Sequence, residues 1–472
     1  MNLQSTVVNG LTVTDGSIRD FAANPIACMT SLRERFGNLV ALNEAGQQVV
    51  FAFGADFNKE LLSQADLFHS RFFAVRGSKN SAQRRLTSGL LSMNGPEHMQ
   101  QRRVVKGAFG RHAITGYRDV VRQLTEDMLD DWKVGQVRDV SSDMTRLMLR
   151  ITSSILFGIK RPELAFELGE MIHKWVELNH EVGPSVFISQ DDSYSRYEEL
   201  LAYSKEVESR VRQLLTERRS EAASDSDMLS LLIQSHMAGE GISEDQLIGQ
   251  TALLFAAAHM TTAHSLLWTL FLIGQHPELA DQLDHELETM TELPEDGSLQ
   301  ASPLLLDRVI RESMRIMPAS AYSQRIAQEE VVLGNATLPK GSIVIFSQFM
   351  THRTEKIYIE PSRFMPERWL TIKPSPYEYL PFGGGSRLCL GSTLALSIMR
   401  GVLPTIWRRF RMSAIPNSEV SALVVSTMLG PTTTVPMQLH QPGSRIDVAP
   451  LRGNISELVT FDTERRAIRR AA

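Results

Sequence analysis

The chain has 472 residues, 43% hydrophobic and 22% charged, a globular composition with ample apolar material for a large core. Its 49 Lys and Arg against 54 Asp and Glu leave a net charge of -5, without the basic excess of a polyanion binder, so nucleic acid is excluded as a partner. Only two cysteines, Cys28 and Cys389, exclude a disulfide framework and any cysteine-rich zinc or iron–sulfur site within one chain, and they suit a reducing compartment.

The first residues, MNLQSTVVNGLTVTDGSIRDF, contain neither a basic segment followed by an apolar one nor a long apolar anchor. The reading is a cytoplasmic protein with no integral membrane anchor. A helix is predicted from Pro25 to Gly37. NLVALNE and QVVFAFG, either side of AGQ, read as a hairpin over 38–54. Helical periodicity then dominates, over 113–133, 139–157, 163–180, 193–219 and a long run from Ser243 to Gln275. Ser243 is placed to cap that run, with Glu244 and Asp245 at the positive end of its dipole, and Pro277 opens the next helix. The run has no continuous polar face, so it belongs in the centre of the fold.

SPLLLDRVIRESMRIMP forms a further helix ended by Pro318, and EEVVLGNATLPKGSIVIFS carries strand and turn signals within a second β-rich stretch, 320–350. From Glu360 to Gly385 the chain is rich in Pro and Gly. Its aromatic residues mark it as ordered and packed rather than a flexible linker. A helix from Gly391 to Phe410 follows, then a tail, 443–472, of unassigned role.

Cys389 lies between a glycine-rich bend and that last helix, in PFGGGSRLCLGSTLAL. Glycines let the backbone approach a flat ligand, and a helix N-terminus favours thiolate over thiol. Such a cysteine can be a nucleophile, a redox sensor, a metal ligand or a buried apolar residue. The spacing Phe382, Gly385, Arg387, Cys389, Gly391, or F-x-x-G-x-R-x-C-x-G, resembles the heme-ligand loop of the cytochrome P450 family, and five fixed positions make the match specific. Glu312 and Arg315, one helical turn apart, resemble the family's E-x-x-R pair, with Arg368 of FMPERW as third member of a network that braces the loop. His98 and Arg102 in GPEHMQQRR resemble its H-x-x-x-R helix.

The resemblance implies a mainly α fold with small β-sheets, and the whole chain, 1–472, as one catalytic domain with heme between the long central helix and the cysteine loop. The cofactor is then heme b, with Cys389 as the axial thiolate that pushes electron density onto iron. His98, Arg102, Arg325 and Arg387 are its propionate partners, and Phe382 and Gly391 belong to its loop. It also implies a monooxygenase using dioxygen, an apolar small-molecule substrate, and electrons from a separate ferredoxin and reductase. The roughly 60 residues after Phe410 are too few for a fused redox domain. Arg102, Arg103, Lys106 and Arg111 offer a docking face for the electron donor. The protein is read as a monomer.

In the family the central helix reads A/G-G-x-D/E-T-T/S over the distal face. Here Ala257, Ala258, His259, Met260, Thr261 and Thr262 stand in those places. Thr261 matches the oxygen-side hydroxyl, which holds a water, donates toward dioxygen and opens the helix locally; the competing reading is a core-helix threonine that only bonds the carbonyl one turn back. Thr262 packs. Ala258 stands for the usual glycine and adds a methyl over the oxygen groove. Met260 stands for the usual acid, and a thioether has no proton to give. Losing an acid relay costs on the order of 10²-fold unless something compensates. His259 points about 100° away from Met260 on a helix. A water chain through Thr261 or a substrate hydroxyl is the expected alternative route.

The resemblance places the substrate beneath the helices near 165–210, beside Pro318–Tyr322 and MLGPTTTVPM, where Ala319, Ser320 and Ala321 leave room for a bulky metabolite. Arg71, Arg76, Lys79, Arg84 and Arg85 form a basic group in the first loop, read as solvated surface or as a patch for an acidic substrate. An oxygen-independent isomerase, a peroxide-using enzyme and a non-catalytic heme sensor or carrier are the competing readings.

Overall fold

The apolar run predicted for the centre of the chain is there. In the computed structural model, which describes residues 5–71, 74–158, 162–185, 190–220, 227–289 and 304–461, it forms a 31-residue helix buried along most of its length. The helices are α1 Ile18–Ala23, α2 Pro25–Phe36, α3 Ala55–Ser63, α4 Ala82–Leu86, α5 Gly95–Lys106, α6 Arg111–Leu129, α7 Val140–Phe157 and α8 Pro162–Ser185. They continue as α9 Gln190–Arg218, α10 Met228–Met237, α11 Glu244–Gly274, α12 Pro277–Thr289, α13 Leu305–Ile316, α14 Gln348–Thr351, α15 Ser392–Arg409 and α16 Ile455–Leu458.

α11 starts where the sequence says. Ser243 accepts from the Gln246 N–H while the Gln246 side chain accepts from the Ser243 N–H, a reciprocal capping box. The helix packs on α4, α7, α8, α13 and α15. Its Leu266 to Ile273 stretch is almost wholly excluded from water, which is why no polar face is visible in the sequence. Long as it is, neither α11 nor any other helix among the described residues is apolar enough to cross a membrane.

The strands are β1 Ser5–Val8, β2 Leu11–Asp15, β3 Leu39–Glu44, β4 Gln47–Ala52, β5 Phe68–Ser70, β6 Val137–Asp139 and β7 Ser323–Ala327, followed by β8 Val331–Leu333, β9 Ala336–Leu338, β10 Ile343–Phe346, β11 Arg411–Ala414, β12 Ala422–Val425, β13 Met428–Pro431 and β14 Pro436–His440. The β3–β4 hairpin turns at Ala45 and Gly46, both at positive φ, and pairs Leu39 with Ala52. It belongs to a seven-stranded mixed sheet, β1-β2-β3-β4-β10-β7-β5, in which β10 runs parallel to β4. This sheet has its own apolar cluster, while the helices share one core around α11. α15 contains Pro404, which the sequence reading passed over. Residues 462–472 of the expected tail lie outside the described residues.

Candidate functional site

On a helix closed to water beyond its first turn over most of its length, Ala257 is exposed and Leu254, Ala256, Ala258, Met260 and Thr261 are partly so. Leu254, Ala257, Ala258 and Thr261 are spaced i, i+3, i+4, i+7 and share one face. Their openness in mid-core means that face looks onto internal space. The Thr261 hydroxyl donates to the Ala257 carbonyl at 2.8 Å, and Ser265 donates in turn to the Thr261 carbonyl at 2.9 Å. The Thr261 hydrogen is thereby committed, leaving its oxygen as an acceptor toward the space. The local opening of the helix expected at this step is absent: α11 is continuous α-helix from 244 to 274. Ala258, a strong helix former where glycine would loosen the turn, accounts for it.

His259 faces the opposite way, as its position on the helix predicts. It is buried, meets His173 of α8 edge-on at 4.9 Å, and neither ring nitrogen has a well-placed hydrogen-bond partner. Burial, with His173 next, pushes it down to about 3, so it stays neutral. Thr262 is buried, in keeping with packing.

The cysteine loop is shaped by glycine. Gly385 has φ near +62°, and a Cβ there would come within 2.0 Å of the Leu62 carbonyl oxygen, so no side chain fits. A single 3-10 turn, Gly385–Arg387, then carries the chain to Cys389, whose N–H donates to the Phe382 carbonyl at 2.9 Å. Gly391 caps α15, which packs against α11. Cys389 is accessible to a water-sized probe, yet burial is the main influence on its thiol and raises it above the ordinary value. Both hold for a sulfur deep in the protein that faces an internal opening. A hydrogen bond from the Gly391 N–H, and the Arg102 guanidinium, act in the other direction and favour thiolate.

His98, Arg325 and Arg387 line one cleft with Leu62, Asn94 and Ser386, and Asp66 is the sole carboxylate among its described lining residues. Burial, then Arg102, pushes Arg387 down to about 10; burial, then Arg387, does the same to Arg325. Burial, then Arg387 and Arg102, pushes His98 down to about 4. The arginines are desolvated cations that repel one another and hold His98 neutral, an arrangement that an added anion relieves. Arg387 also donates to the Leu90 and Met93 carbonyls and, at 2.6 Å, to Asn94 Oδ1; Arg102 donates to the Leu388 carbonyl. Asn94 stands at the N-cap of α5, but its side chain makes no capping hydrogen bond. Its amide oxygen also accepts from the Ser70 N–H.

Behind the loop, Glu312 and Arg315 of α13 are fully buried and joined by two bonds of 2.9 Å. Arg368 adds a 2.8 Å bond to Glu312, and the two arginines together hold the carbonyls of His352, Ile359, Glu360, Pro361 and Arg363. The Pro/Gly-rich tract is therefore pinned by charge-assisted bonds to its own backbone. Pro318–Tyr322 and the 427–437 segment also meet, through Leu429 N–H to Ala319 O at 3.1 Å and Ala321 N–H to Thr427 O at 2.8 Å. Of the basic loop, Arg85 pairs with Glu208 and Arg76 donates to the Ser92 carbonyl. The side chain of Arg111 lies outside the described residues.

An accessible buried thiol, an open helix face within the core and a crowded cation cleft fit a flat dianionic cofactor bound through sulfur. They define the class of heme-thiolate oxidoreductases. The cytochrome P450 family's sequence profile matches residues 16–434, so the chain belongs to that family, whose cofactor is heme b, and is a cytochrome P450 monooxygenase. It is 28% identical over 372 residues to cyclooctat-9-en-7-ol 5-monooxygenase of Streptomyces melanosporofaciens, covering 76% of this chain and 80% of that one. It is 27% identical to pentalenene oxygenase of Streptomyces avermitilis, covering 79% and 82%. The solved structure of retinoic acid bound cyanobacterial CYP120A1 superposes with a TM-score of 0.72 at 22% identity, covering 87% of this chain and 93% of that one. The P450DA heme domain does so at 0.74 and 21%, covering 89% and 94%. These two share the fold.

Proposed function

We propose that this chain, acting as a single catalytic domain in the cytoplasm, oxidises a terpenoid or similarly bulky apolar metabolite, with protons delivered by a route that bypasses the usual acid. The observation that carries the reading is the pairing of Cys389, accessible and deep, with the open Ala257–Thr261 face of α11. Cys389 would hold the heme iron through its thiolate. Arg102, Arg325 and Arg387 would supply positive charge, and the neutral His98 a ring N–H, for the two propionates, and Phe382 and Gly391 would shape the loop behind sulfur. The bound heme supplies dioxygen activation.

The substrate class is supported by two relatives named for oxidising terpenes and by Ala319 and Ser320, small, partly open residues set beside Leu429 and Met428. Met260 sits partly open on α11 with no ionisable group, and His259 is turned into the core. That leaves the Thr261 oxygen, free to accept, to order a water or a substrate hydroxyl as the proton source. Separate electron-donor proteins complete the cycle, with Arg103 and Lys106 of α5 beside the loop as a docking face.

Thiolate ligation is tested by the ferrous carbon monoxide spectrum of the purified protein. The red-shifted Soret band of a thiolate ligand is expected, and its loss in Cys389→His. A band typical of histidine ligation in the unaltered protein would refute the assignment.

A further inference from the structure

The chain before α5, residues 74–94, is fastened at three levels. At its lower end Arg387 of the cysteine loop holds the Leu90 and Met93 carbonyls and Asn94. In the middle, Ser88 Oγ donates to the Asp245 carbonyl at 2.7 Å and the Leu90 N–H to Gln250 Oε1 at 3.1 Å. There Gly89 and Gly249 touch backbone to backbone: a Cβ on Gly249 would lie 2.6 Å from the Gly89 nitrogen. The segment thus runs up the side of α11 from the cysteine loop and forms a wall of the space between them.

Its upper end is held by Gln83 of α4, which is wholly buried. Gln83 Nε2 donates to Asn179 Oδ1 of α8 at 2.8 Å and to the Val75 carbonyl at 2.5 Å. Gln83 Oε1 accepts from Trp175 Nε1 of α8 at 2.8 Å and lies 2.8 Å from Ser204 Oγ of α9, whose one proton is shared with the Leu200 carbonyl. Every polar group of this amide is used, by two different helices and its own loop. On the outer side Arg85 grips Glu208 of α9 with two bonds of 2.6 and 2.7 Å, and Glu208 also accepts from Arg212. An apolar residue at 83 would fill the same volume but would take the donor from Asn179 Oδ1 and leave Trp175 Nε1 only its longer 3.2 Å bond to Ser204 Oγ.

We propose that Gln83 is a positioning residue that locks the α4 wall to α8 and α9, and so selects by size what reaches the space beside Cys389. The proposal rests on the reading that this space is the oxidation site. With the amide in place the seam between α4 and the two long helices is shut by directional bonds. A slim ligand passes without disturbing it, whereas a wide one waits for the seam to part.

The test compares two azoles that ligate heme iron through the same nitrogen, imidazole and 1-tritylimidazole, by stopped-flow absorption on the holoenzyme, with hydrogen exchange of residues 82–92. In Gln83→Leu the association rate of 1-tritylimidazole is expected to rise about tenfold, as loss of one or two buried bonds implies, with imidazole unchanged and exchange of 82–92 faster. Arg85→Met, which spares the buried amide, should show a smaller rise in the same direction, and it carries the comparison should Gln83→Leu not fold. Parallel changes for both azoles, or unaltered exchange in 82–92, would overturn the lock. If neither azole shifts the spectrum of the unaltered protein, the oxidation-site reading falls, and exchange alone then decides whether Gln83 holds the seam.

Discussion

Replacing Glu312 by Gln removes the one negative charge among two buried guanidinium groups. Glu312 is wholly excluded from water and accepts four hydrogen bonds: two from Arg315, one from Arg368 and one from the Met365 N–H at 2.9 Å. Arg315 is equally buried and Arg368 nearly so. Glutamine keeps the shape but sets an amide NH₂ against guanidinium donors and leaves two cations uncompensated. Breaking a buried pair from one side costs about 3–5 kcal/mol, a large part of a total stability of about 5–15 kcal/mol. Arg368→Met should cost less, about 2–3 kcal/mol, because Arg315 still neutralises Glu312 and the released carbonyls lie near the surface. Urea unfolding followed by circular dichroism, with the fraction of heme retained after purification, measures both. Glu312→Gln within about 1 kcal/mol of the unaltered protein, or Arg368→Met the more damaging of the two, would refute the account.

Acid should destabilise the apoprotein through its buried histidines. Burial pushes His264 down to about 4 and His259 to about 3, so between pH 6.5 and 4 the unfolded chain binds the extra protons and stability falls as pH falls. Each group contributes up to about 1.4 kcal/mol per pH unit, so the two together lose about 3 kcal/mol between pH 6.5 and 5; a His259→Leu variant with an undiminished pH slope in urea midpoints would contradict this. Gly249→Ala should lower the melting temperature, since backbone at Gly89 cannot turn aside, and the strain of about 1–3 kcal/mol exceeds the helix-propensity gain of about 1 kcal/mol; a raised melting temperature would disprove the close contact. Met260→Glu should raise both turnover and the yield of product per reductant consumed if the missing acid limits proton supply. No rise, together with full turnover of substrates lacking a hydroxyl, would dismiss the rearranged route.

What could be read from the sequence was local. The cap at Ser243, the hairpin over 38–54 and the five spaced residues around Cys389 each reside in a short window whose chemistry is self-contained. Glu312, Arg315 and Arg368 were legible because their pattern matched a known family. The orientation of the Thr261 hydroxyl was not, because whether it bonds Ala257 or opens the helix depends on neighbours such as Ala258. Strands β1, β2 and β11 to β14 are four or five residues long, too short for alternation to stand out. Gln83 was invisible for another reason: its partners lie 92, 96 and 121 residues away, and nothing in the sequence of α4 marks it as a meeting point. Asn94 carried a misleading signal, since Asn before Gly-Pro looks like a cap while its oxygen serves Arg387.

The bonds from Arg387 to Leu90, Met93 and Asn94 close loops of 297, 294 and 293 residues. During synthesis the wall segment leaves the ribosome early, and the arginine that fastens its foot emerges almost three hundred residues later. Contacts of such separation form late in folding. A nascent chain that has already completed α11 still lacks the thiol and the clasp together, since Cys389 follows Arg387 by two residues. The wall's attachment to the cysteine loop therefore belongs to a late stage of assembly.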